Sequence, residues 1–415
     1  MISRREFSDR LLRLGFGAVA VESVLDSVAQ AKQPFQFEPF SQQTPYEQWM
    51  AREGVPVHRG YGFPDVRALE VKPWERMGAR GALIDLDGAE GTDGAYLCEI
   101  AAGASTRPQR YLFEEAIFVL DGEGDTSVWH KSGHKQTFQW KKGAMFSPPL
   151  NTWRQHFNRS AKPARLISFH DLPLIMDVFH NADFLFDNDF VFSDRYDNQA
   201  EYFTFNASKL VGGGSLAMFN DDERAGVRMA DTGLVPDVNN IQLYAAKSRG
   251  LKNKGIEMVF SDNTMQTHIS EFETGSYKRA HRHGPGSHIL ILGGAGYSLM
   301  WTDLPRYSEA PRHMRIDWNE GSLFVPPDRW FHQHFNAGEA AAKYMATSWI
   351  GGKYFAKALG GGGRTHRLNT ISTRKGGNMV DYPDEDPAVR SMFEEELGKR
   401  GLRSQMPSIM GGSHK

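Results

Sequence analysis

The chain has 415 residues, of which 40% are apolar and 24% charged, and its formal net charge is −2. This length predicts two or three domains of ordinary globular composition, and the balanced charge argues against a nucleic-acid-binding surface. The single cysteine, Cys98, excludes an internal disulfide and a cysteine-rich metal site. Its strand-like surroundings favour a buried, inert thiol.

Residues 1–31 resemble a twin-arginine export signal. The pair Arg4 and Arg5 precedes an apolar stretch at 14–21, and residues 29–31 fit a small-x-small cleavage site. Two acidic residues interrupt the apolar part, so the other interpretation is an amphipathic helix in a cytoplasmic protein. We therefore expect a periplasmic protein, or a cytoplasmic one if the motif is fortuitous. No other stretch is apolar enough to span a bilayer, so we expect no stable membrane insertion.

Three further segments are predicted to flank the main domains. Residues 32–65 form an N-terminal arm, with a short helix at 43–54 that ends at Gly54. Residues 176–239 connect the two main domains through a helix and loops. Residues 353–415 form a C-terminal tail with a flexible run of four glycines at 360–363, a charged helix from Pro387 to Lys399, and disorder beyond Gly401.

The main domains are two copies of one unit. Residues 103–124 superimpose on residues 275–296 at the constant offset of 172 that separates Gly103 from Gly275, and a later block repeats at an offset of 178. Each copy consists of short alternating apolar runs broken by Gly, Pro, Asn and Asp, which predicts antiparallel strands closing into a barrel or jelly roll. We assign residues 66–175 to barrel 1 and residues 240–352 to barrel 2.

The second copy contains two pairs of histidines at a spacing of two. His281 and His283 form the first pair, and His332 and His334 form the second. Residues i and i+2 of a strand face the same side, so each pair can point into the barrel. Imidazole binds Fe(II), Cu, Ni, Zn and, less well, Mn. The pattern predicts one divalent transition metal per chain, bound by His281, His283 and His332. His334 is predicted to contact the substrate or to support the ligands.

These residues resemble the double sequence motif of the cupins. Because both copies carry the resemblance, it implies a bicupin: a mainly β protein of two tandem double-stranded β-helix (jelly-roll) barrels with short flanking helices. Homodimer formation is a further family-level expectation. The matching positions are Gly275, His281, His283, Gly294, Gly321, Pro327, His332 and Asn336.

The glutamate of the cupin motif is missing from the second copy. Ser287 or His288 occupies its position, depending on the spacing chosen, so His288 is a candidate fourth ligand. With neutral ligands alone the metal keeps its full charge, which favours an anionic, chelating small-molecule substrate. The same reasoning makes Fe(II) the preferred metal, with Mn, Cu, Ni or Zn as alternatives.

The first copy lacks the metal ligands. Gln109, Tyr111 and Arg154 replace the three histidines, whereas Glu115 remains at the glutamate position. Arginine stays protonated and does not ligate metals, so no metal is expected in barrel 1. This barrel is predicted to be a packing and dimerisation platform, or alternatively a second small-molecule pocket with Arg154 and Glu115 paired inside.

One intact three-histidine site beside a degraded half is similar to the arrangement in gentisate-type ring-cleaving dioxygenases. The resemblance implies an Fe(II) dioxygenase, an oxidoreductase acting on a small chelating anion such as a phenol. The alternatives are a non-redox isomerase or lyase, and a metal-containing binding protein without turnover. No general acid or base is assigned. The candidate pocket residues, which could instead form barrel core, are His334, Tyr297, Met300, Trp301 and Trp330.

Overall fold

A computed structural model describes residues 43–130, 134–205, 210–211, 229–246, 250–349 and 371–407. The proposed export segment and the four-glycine run at 360–363 lie outside these ranges. Among the described residues, no helix has both the length and the apolar character needed to cross a membrane.

Short helices flank the two barrels. A helix at residues 43–54 and one from Pro387 to Lys399 are expected from the sequence, and the structure has a helix at each place. The helices are α1 (Pro45–Arg52), α2 (Leu172–Phe179), α3 (Ala182–Phe186) and α4 (Pro387–Gly398). Single 3₁₀ turns occupy Val66–Ala68, Asp87–Ala89, Thr373–Lys375 and Tyr382–Asp384.

The rest of the ordered secondary structure consists of short strands. Those before and within the first barrel are β1 (Val57–Gly60), β2 (Gly62–Phe63), β3 (Lys72–Trp74), β4 (Ala79–Leu86), β5 (Gly94–Ile100), β6 (Glu115–Asp121), β7 (Glu123–Trp129), β8 (Gln136–Lys141), β9 (Met145–Phe146), β10 (Trp153–Asn158) and β11 (Ala164–His170). Those before and within the second are β12 (Leu210–Val211), β13 (Met229–Thr232), β14 (Leu234–Val235), β15 (Tyr244–Ala245), β16 (Asn253–Phe260), β17 (Gln266–Phe272), β18 (His288–Gly293), β19 (Ala295–Trp301), β20 (His313–Asn319), β21 (Leu323–Phe324), β22 (Phe331–Asn336) and β23 (Ala342–Ser348).

The strand order confirms two tandem double-stranded β-helix barrels. In barrel 1 the larger sheet runs β4-β5-β11-β6-β9 and the smaller sheet runs β10-β7-β8. In barrel 2 the same order recurs as β16-β17-β23-β18-β21 and β20-β19-β22. Every strand of these sheets in one barrel therefore has a counterpart in the other, and the fold is that of two tandem jelly-roll barrels.

Backbone hydrogen bonds repeat between the barrels at the offsets found in the sequence. The amide of Gln109 donates to the carbonyl of Arg154 over 2.8 Å, and the amide of His281 donates to the carbonyl of His332 over 3.1 Å. Equivalent positions can therefore be compared side chain by side chain. Barrel 1 shows what the fold requires when the three histidines are replaced by Gln109, Tyr111 and Arg154.

Each barrel receives one strand from the segment that precedes the other. Strand β2, which precedes barrel 1, pairs with β21 of barrel 2, and β14, which precedes barrel 2, pairs with β9 of barrel 1. The exchange covers the edges of both larger sheets, since an unpaired edge would expose backbone donors and acceptors. It also ties the two barrels together through main-chain hydrogen bonds.

A glycine with an unusual backbone conformation precedes each of the two strands, β9 and β21, that pair with the exchanged strands. Gly143 and Gly321 have φ values of 87° and 93°, a region that L side chains rarely adopt. A Cβ atom at Gly321 would come within 2.6 Å of the Asp65 carboxylate, and one at Gly143 within 2.9 Å of the Asp237 carboxylate. Both positions therefore need glycine for their backbone conformation, and a side chain there would also displace the neighbouring aspartate.

A shared apolar core joins the larger sheets of the two barrels. It contains Leu97 and Phe169 from barrel 1 together with Ile269 and Met345 from barrel 2, all fully buried. Fully burying one such side chain contributes roughly 1.5–3 kcal/mol. Strands of the larger sheets are therefore buried on both faces. The apolar run of β18 reflects this, whereas exposed and covered residues alternate along the outer strand β20.

The C-terminal segment returns to barrel 2. Helix α4 buries Val389, Phe393 and Leu397 against the outer face of the smaller sheet, in a cluster that also includes Met406. The expectation of disorder beyond Gly401 is therefore wrong up to residue 407, because the apolar face of the barrel holds Met406.

A buried carboxylate anchors this segment. Glu385 accepts hydrogen bonds from the Tyr277 hydroxyl over 2.5 Å and from the Gln333 side-chain amide over 2.6 Å. Burial raises the pKa of Glu385 from 4.5 to about 6, even though both donors act to lower it. The folded protein therefore binds a proton at this carboxyl more tightly than the unfolded chain does.

This raised pKa predicts that stability is lost as the pH rises through about 6. The stabilising contribution is fully present below the unfolded pKa and amounts to ~2 kcal/mol at most. Replacing Glu385 with Gln should remove this step from the pH dependence of the free energy of urea unfolding. The control is Glu394→Gln on the exposed side of α4, which should keep the step. A step that survives in Glu385→Gln would contradict the assignment.

Candidate metal centre

The first two ligand histidines lie on a loop that is held against a strand. His281 and His332 exchange backbone hydrogen bonds of 3.1 and 2.8 Å, and the carbonyl of His283 accepts from the amide of Arg329 over 3.0 Å. On its other side, the loop accepts and donates backbone hydrogen bonds with residues 378–380 of the C-terminal segment. The positions of all three histidines are thus fixed by main-chain contacts on barrel 2.

The hydrogen bonds of the three imidazoles determine which nitrogen can bind a metal. The Nδ1 atoms of His281 and His332 each lie 3.1 Å from a backbone carbonyl two residues earlier, and Nδ1 of His283 lies 2.8 Å from the carbonyl of Gly284. A carbonyl oxygen accepts but does not donate, so each Nδ1 must carry the hydrogen. In a neutral imidazole this leaves the lone pair on Nε2, the usual arrangement of a metal-ligating histidine.

The three side chains converge. One ring nitrogen from each of His281, His283 and His332 lies within 4.8 Å of the other two. Two imidazole nitrogens bound to one ion at about 2.1 Å are at most about 4.2 Å apart, so small ring rotations suffice. Among the described residues, no Asp, Glu or Cys joins this group. The donor set fits one divalent transition metal bound by three neutral nitrogens on one side.

His288 is not part of this group. Its ring is fully buried on the opposite face of β18, between the barrels, with Nδ1 3.4 Å from the Asp93 carboxylate. It also packs against Phe169 of barrel 1 at a ring-centroid distance of 5.6 Å. The prediction of His288 as a fourth ligand is therefore wrong, because alternation along the strand turns its side chain away from the barrel interior.

His334 lies inside barrel 2, one layer deeper than His332. Its Nδ1 is 2.7 Å from the Ser298 hydroxyl, which also accepts from the indole of Trp318 over 3.0 Å. Barrel 1 repeats this contact: Nδ1 of His156 is 2.7 Å from the Thr126 hydroxyl. Because the contact occurs in both barrels, it belongs to the fold. His334 therefore supports the interior beneath the three ligands.

The predicted pocket residues divide between the two faces of the smaller sheet. Met300 pairs directly with His332, so its side chain shares the interior face, and Trp330 packs against the interior cluster that contains Met300. Tyr297 and Trp301 lie on the outer face, in the cluster covered by α4. Assigning these two to the pocket is wrong, since they alternate with Met300 along β19.

In barrel 1 an ion pair occupies the place of the metal centre. The guanidinium of Arg154 lies 3.2 Å from the Glu115 carboxylate, and both side chains are almost fully buried. The hydroxyls of Tyr96, Tyr111 and Ser168 also donate to this carboxylate, over 2.5–2.7 Å. Burial would raise the pKa of Glu115, but Arg154 and the hydroxyl donors outweigh it and lower this pKa.

The partners of Glu115 all come from within barrel 1. Arg154 also stacks on the Tyr111 ring, with 3.3 Å between the guanidinium carbon and the ring centroid. The Arg154 guanidinium thus stands where a bound cation would, and the carboxylate oxygens of Glu115 accept hydrogen bonds from groups of the protein itself. These contacts favour the packing role predicted for barrel 1 over a second ligand pocket.

Sequence reasoning missed one group of interior residues. Lys278 is buried, and its Nζ donates to the hydroxyls of Ser270 and Tyr344, both over 2.5 Å. Position 278 lies within the repeated block and corresponds to Thr106. A comparison of the two copies for polar residues gained in the second could have found it.

Comparisons with known proteins add no closer identification. No family description matches the chain, and no curated protein matches it. An oxalate decarboxylase from Lactobacillus farciminis, solved as a formate complex, matches with 12% identity and a TM-score of 0.46 over 80% of this chain and 96% of that one. A Bacillus subtilis oxalate decarboxylase with Mn(II) centres matches with 10% identity and a TM-score of 0.44 over 71% and 78%. Hazelnut (Corylus avellana) vicilin matches with 12% identity and a TM-score of 0.42 over 69% and 85%.

The ion pair of barrel 1 predicts a strong dependence of stability on Arg154. Replacing Arg154 with Met leaves a buried carboxylate without its cation, which costs about 3–5 kcal/mol of unfolding free energy at neutral pH. Burial then raises the Glu115 pKa, so the loss should shrink as the pH falls and the carboxyl is protonated. Urea unfolding at several pH values measures this.

Two further variants test whether the pair itself matters. Replacing both Arg154 and Glu115 with Met should cost less than replacing Arg154 alone, since no buried charge remains. Arg306→Met breaks an ion pair with Glu309 in which both side chains are mostly exposed, and it should cost about 1 kcal/mol or less. Equal losses in the single and the double variant would contradict a structural ion pair.

The geometry of the three histidines predicts that metal binding depends on His332. His332→Ala should lower the bound metal from about one ion per chain to a trace, as measured by elemental analysis of the purified protein. The matched control is His313→Ala, which changes an exposed histidine on β20 and should leave the metal content unchanged. Full metal retention in His332→Ala would exclude this site.

Proposed function

We propose that barrel 2 is the active domain of a metal-dependent enzyme, an Fe(II) dioxygenase acting on a small, chelating, anionic substrate such as a phenol. The observation that carries this proposal is the convergence of three neutral imidazoles whose Nδ1 hydrogens are all held by carbonyl groups. Such a ligand set leaves several coordination positions for exogenous ligands, and Fe(II) in it can supply Lewis-acid and oxygen chemistry.

The charge of the centre supports an anionic substrate. No described carboxylate joins the three ligands, so the ligands do not offset the charge of a divalent ion. Two of the ligand rings, those of His281 and His332, are buried, and an anion beside them would replace water in a low-dielectric site. Met300 and Trp330 contribute apolar surface on the same side. This surface would hold an aromatic or aliphatic body against the centre and exclude water.

Among the three proposed metal ligands, the partly exposed His283 indicates which side of the centre faces solvent. His283 is half-buried, as is His268, which lies on the interior face of β17. By the repeat offsets and the strand pairing, His268 occupies the position equivalent to Tyr96, which in barrel 1 donates to Glu115. We therefore assign substrate entry to the side of barrel 2 where His268 and His283 lie.

Oxygen uptake tests the reaction class. The protein loaded with Fe(II) should consume oxygen with at least one member of a panel of catechols, hydroxybenzoates and gentisate, and His332→Ala should not. His313→Ala should retain the activity. The Zn(II)-loaded protein should be inactive, because Zn(II) has no redox chemistry.

Other outcomes point to the alternatives. Full activity with Zn(II) or Mn(II) and no oxygen uptake would replace the dioxygenase with an isomerase or lyase at the same centre. Stoichiometric metal binding without turnover on the panel or on small carboxylic acids would favour a binding protein. Elemental analysis of the protein as purified decides between Fe(II) and Mn, Cu, Ni or Zn.

A further inference from the structure

We propose that Asp93 of barrel 1 is a positioning residue for the metal centre of barrel 2. Its carboxylate holds the loop at residues 284–287, which joins the ligand His283 to strand β18. This inference rests on the metal centre of the proposed function but is independent of the reaction catalysed there. Barrel 1 thereby contributes to the centre without supplying a ligand.

The Asp93 carboxylate reaches across the junction between the barrels. It has a relative exposure of 2%, and its Oδ2 lies 3.4 Å from Nδ1 of His288 at the start of β18. Its Oδ1 accepts a hydrogen bond from the Thr92 hydroxyl over 3.1 Å. The backbone of Trp349, directly after β23, also forms a hydrogen bond with this carboxyl group. Asp93 therefore contacts two separate elements of barrel 2.

The same carboxylate packs against the middle of the loop. Gly286 has a φ of 82°, and a Cβ atom there would lie 2.2 Å from Oδ1 of Asp93. The absence of a side chain at Gly286 thus permits the close approach. Pro285, whose φ is fixed by its ring, joins Gly286 to Gly284. The carbonyl of Gly284 lies 2.8 Å from Nδ1 of His283. A shift of the loop at Gly286 therefore moves the acceptor that orients the His283 ring.

The equivalent loop of barrel 1 is held in a different way. Glu114 occupies the position equivalent to Gly286 at the repeat offset of 172 that separates Gly103 from Gly275. Its Oε2 accepts hydrogen bonds from the backbone amides of residues 264 and 265 in barrel 2, over 2.6 and 3.1 Å. Its Oε1 accepts from Arg195 over 2.9 Å. In barrel 1 the loop thus supplies the carboxylate, whereas in barrel 2 the opposite barrel supplies it.

The residues equivalent to Asp93 and His288 are apolar. By the same offset they are Met265 and Ala116, and the strand pairing of β6 and β18 agrees with this alignment. Both belong to the apolar core between the barrels. The fold therefore accepts apolar residues at both positions. The polar pair occurs beside the loop that leads to a metal ligand.

Loss of this contact should weaken metal binding. Histidine ligands depend on the groups that orient them, and removing such a group lowers metal affinity by roughly ten- to a hundredfold. Without the Asp93 carboxylate, the loop can shift and the His283 ring loses its fixed orientation. We expect a loss at the lower end of that range, because the amide of Arg329 still donates to the carbonyl of His283.

The metal affinity of the full-length protein tests this role without turnover. The Kd for Co(II) is measured on metal-depleted protein from the visible absorption of bound Co(II), in competition with a chelator. Asp93→Ala should raise this Kd about tenfold and change the shape of the Co(II) spectrum. Asp93→Asn keeps the shape of the side chain and an acceptor for the Thr92 hydroxyl, so it should bind Co(II) nearly as wild type does.

Glu114→Ala is the matched control. It removes the equivalent carboxylate contact from the loop of barrel 1, which carries none of the three histidines. It should therefore lower the urea midpoint, as Asp93→Ala does, and leave the Co(II) Kd unchanged. If Asp93→Ala fails to fold, Gly286→Ala disturbs the contact from the loop side and should also raise the Kd about tenfold. Its control is Gly143→Ala, at another positive-φ glycine beside a carboxylate, which should not change the Kd.

The ways of failing differ. An unchanged Kd in Asp93→Ala overturns the positioning role and leaves the metal centre in place. Equal increases of the Kd in Asp93→Ala and Glu114→Ala overturn it as well, since they reflect a general loss of stability. A wild-type protein that binds no Co(II) overturns the metal centre and, with it, the role of Asp93.

Discussion

Three backbone carbonyl groups determine which ring nitrogen each of the three histidines of barrel 2 can present to a metal. By accepting the Nδ1 hydrogens of His281, His283 and His332, they leave one lone pair on each ring at Nε2. The loop at 281–283 can present two of these rings because it is paired with β22 on one side and with residues 378–380 on the other. The C-terminal segment thus contributes to the site without supplying a ligand. Glu385 attaches that segment to the outer wall, where Tyr277 and Gln333 hold it.

Duplication makes the chain its own internal comparison. Both barrels keep the strand order, the exchanged strand, the glycine at the crossing and the histidine bonded to a Ser or Thr hydroxyl. These features are requirements of the fold. The differences are concentrated in the interior. Barrel 1 places Arg154 and Glu115 where barrel 2 gathers three imidazoles.

The interiors of the two barrels differ in which charged groups they contain. In barrel 1 a carboxylate is retained, and a guanidinium from the chain neutralises it within the core. In barrel 2 the carboxylate is absent, and the three neutral ligands leave a divalent ion with its charge. Lys278 adds a further positive group in the same interior. Barrel 1 thus balances its buried carboxylate with an arginine of the chain, whereas no described carboxylate joins the three histidines of barrel 2.

The sequence by itself determined the duplication, the two barrels and the group of three histidines that the structure brings together. Repeats at fixed offsets and a spacing of two between histidines are local properties, and strand alternation converts them directly into facing side chains. Because the strand boundaries were unknown, the same alternation did not decide whether the His288 side chain faces the barrel interior. It also assigned Tyr297 and Trp301 to the wrong face. Tertiary structure decided His288 because β18 is buried on both faces, between the barrel interior and the other barrel. It decided Tyr297 and Trp301 because α4 covers the outer face of β19. It also revealed Lys278, since its partners Ser270 and Tyr344 come from two other strands and meet it only after the barrel closes.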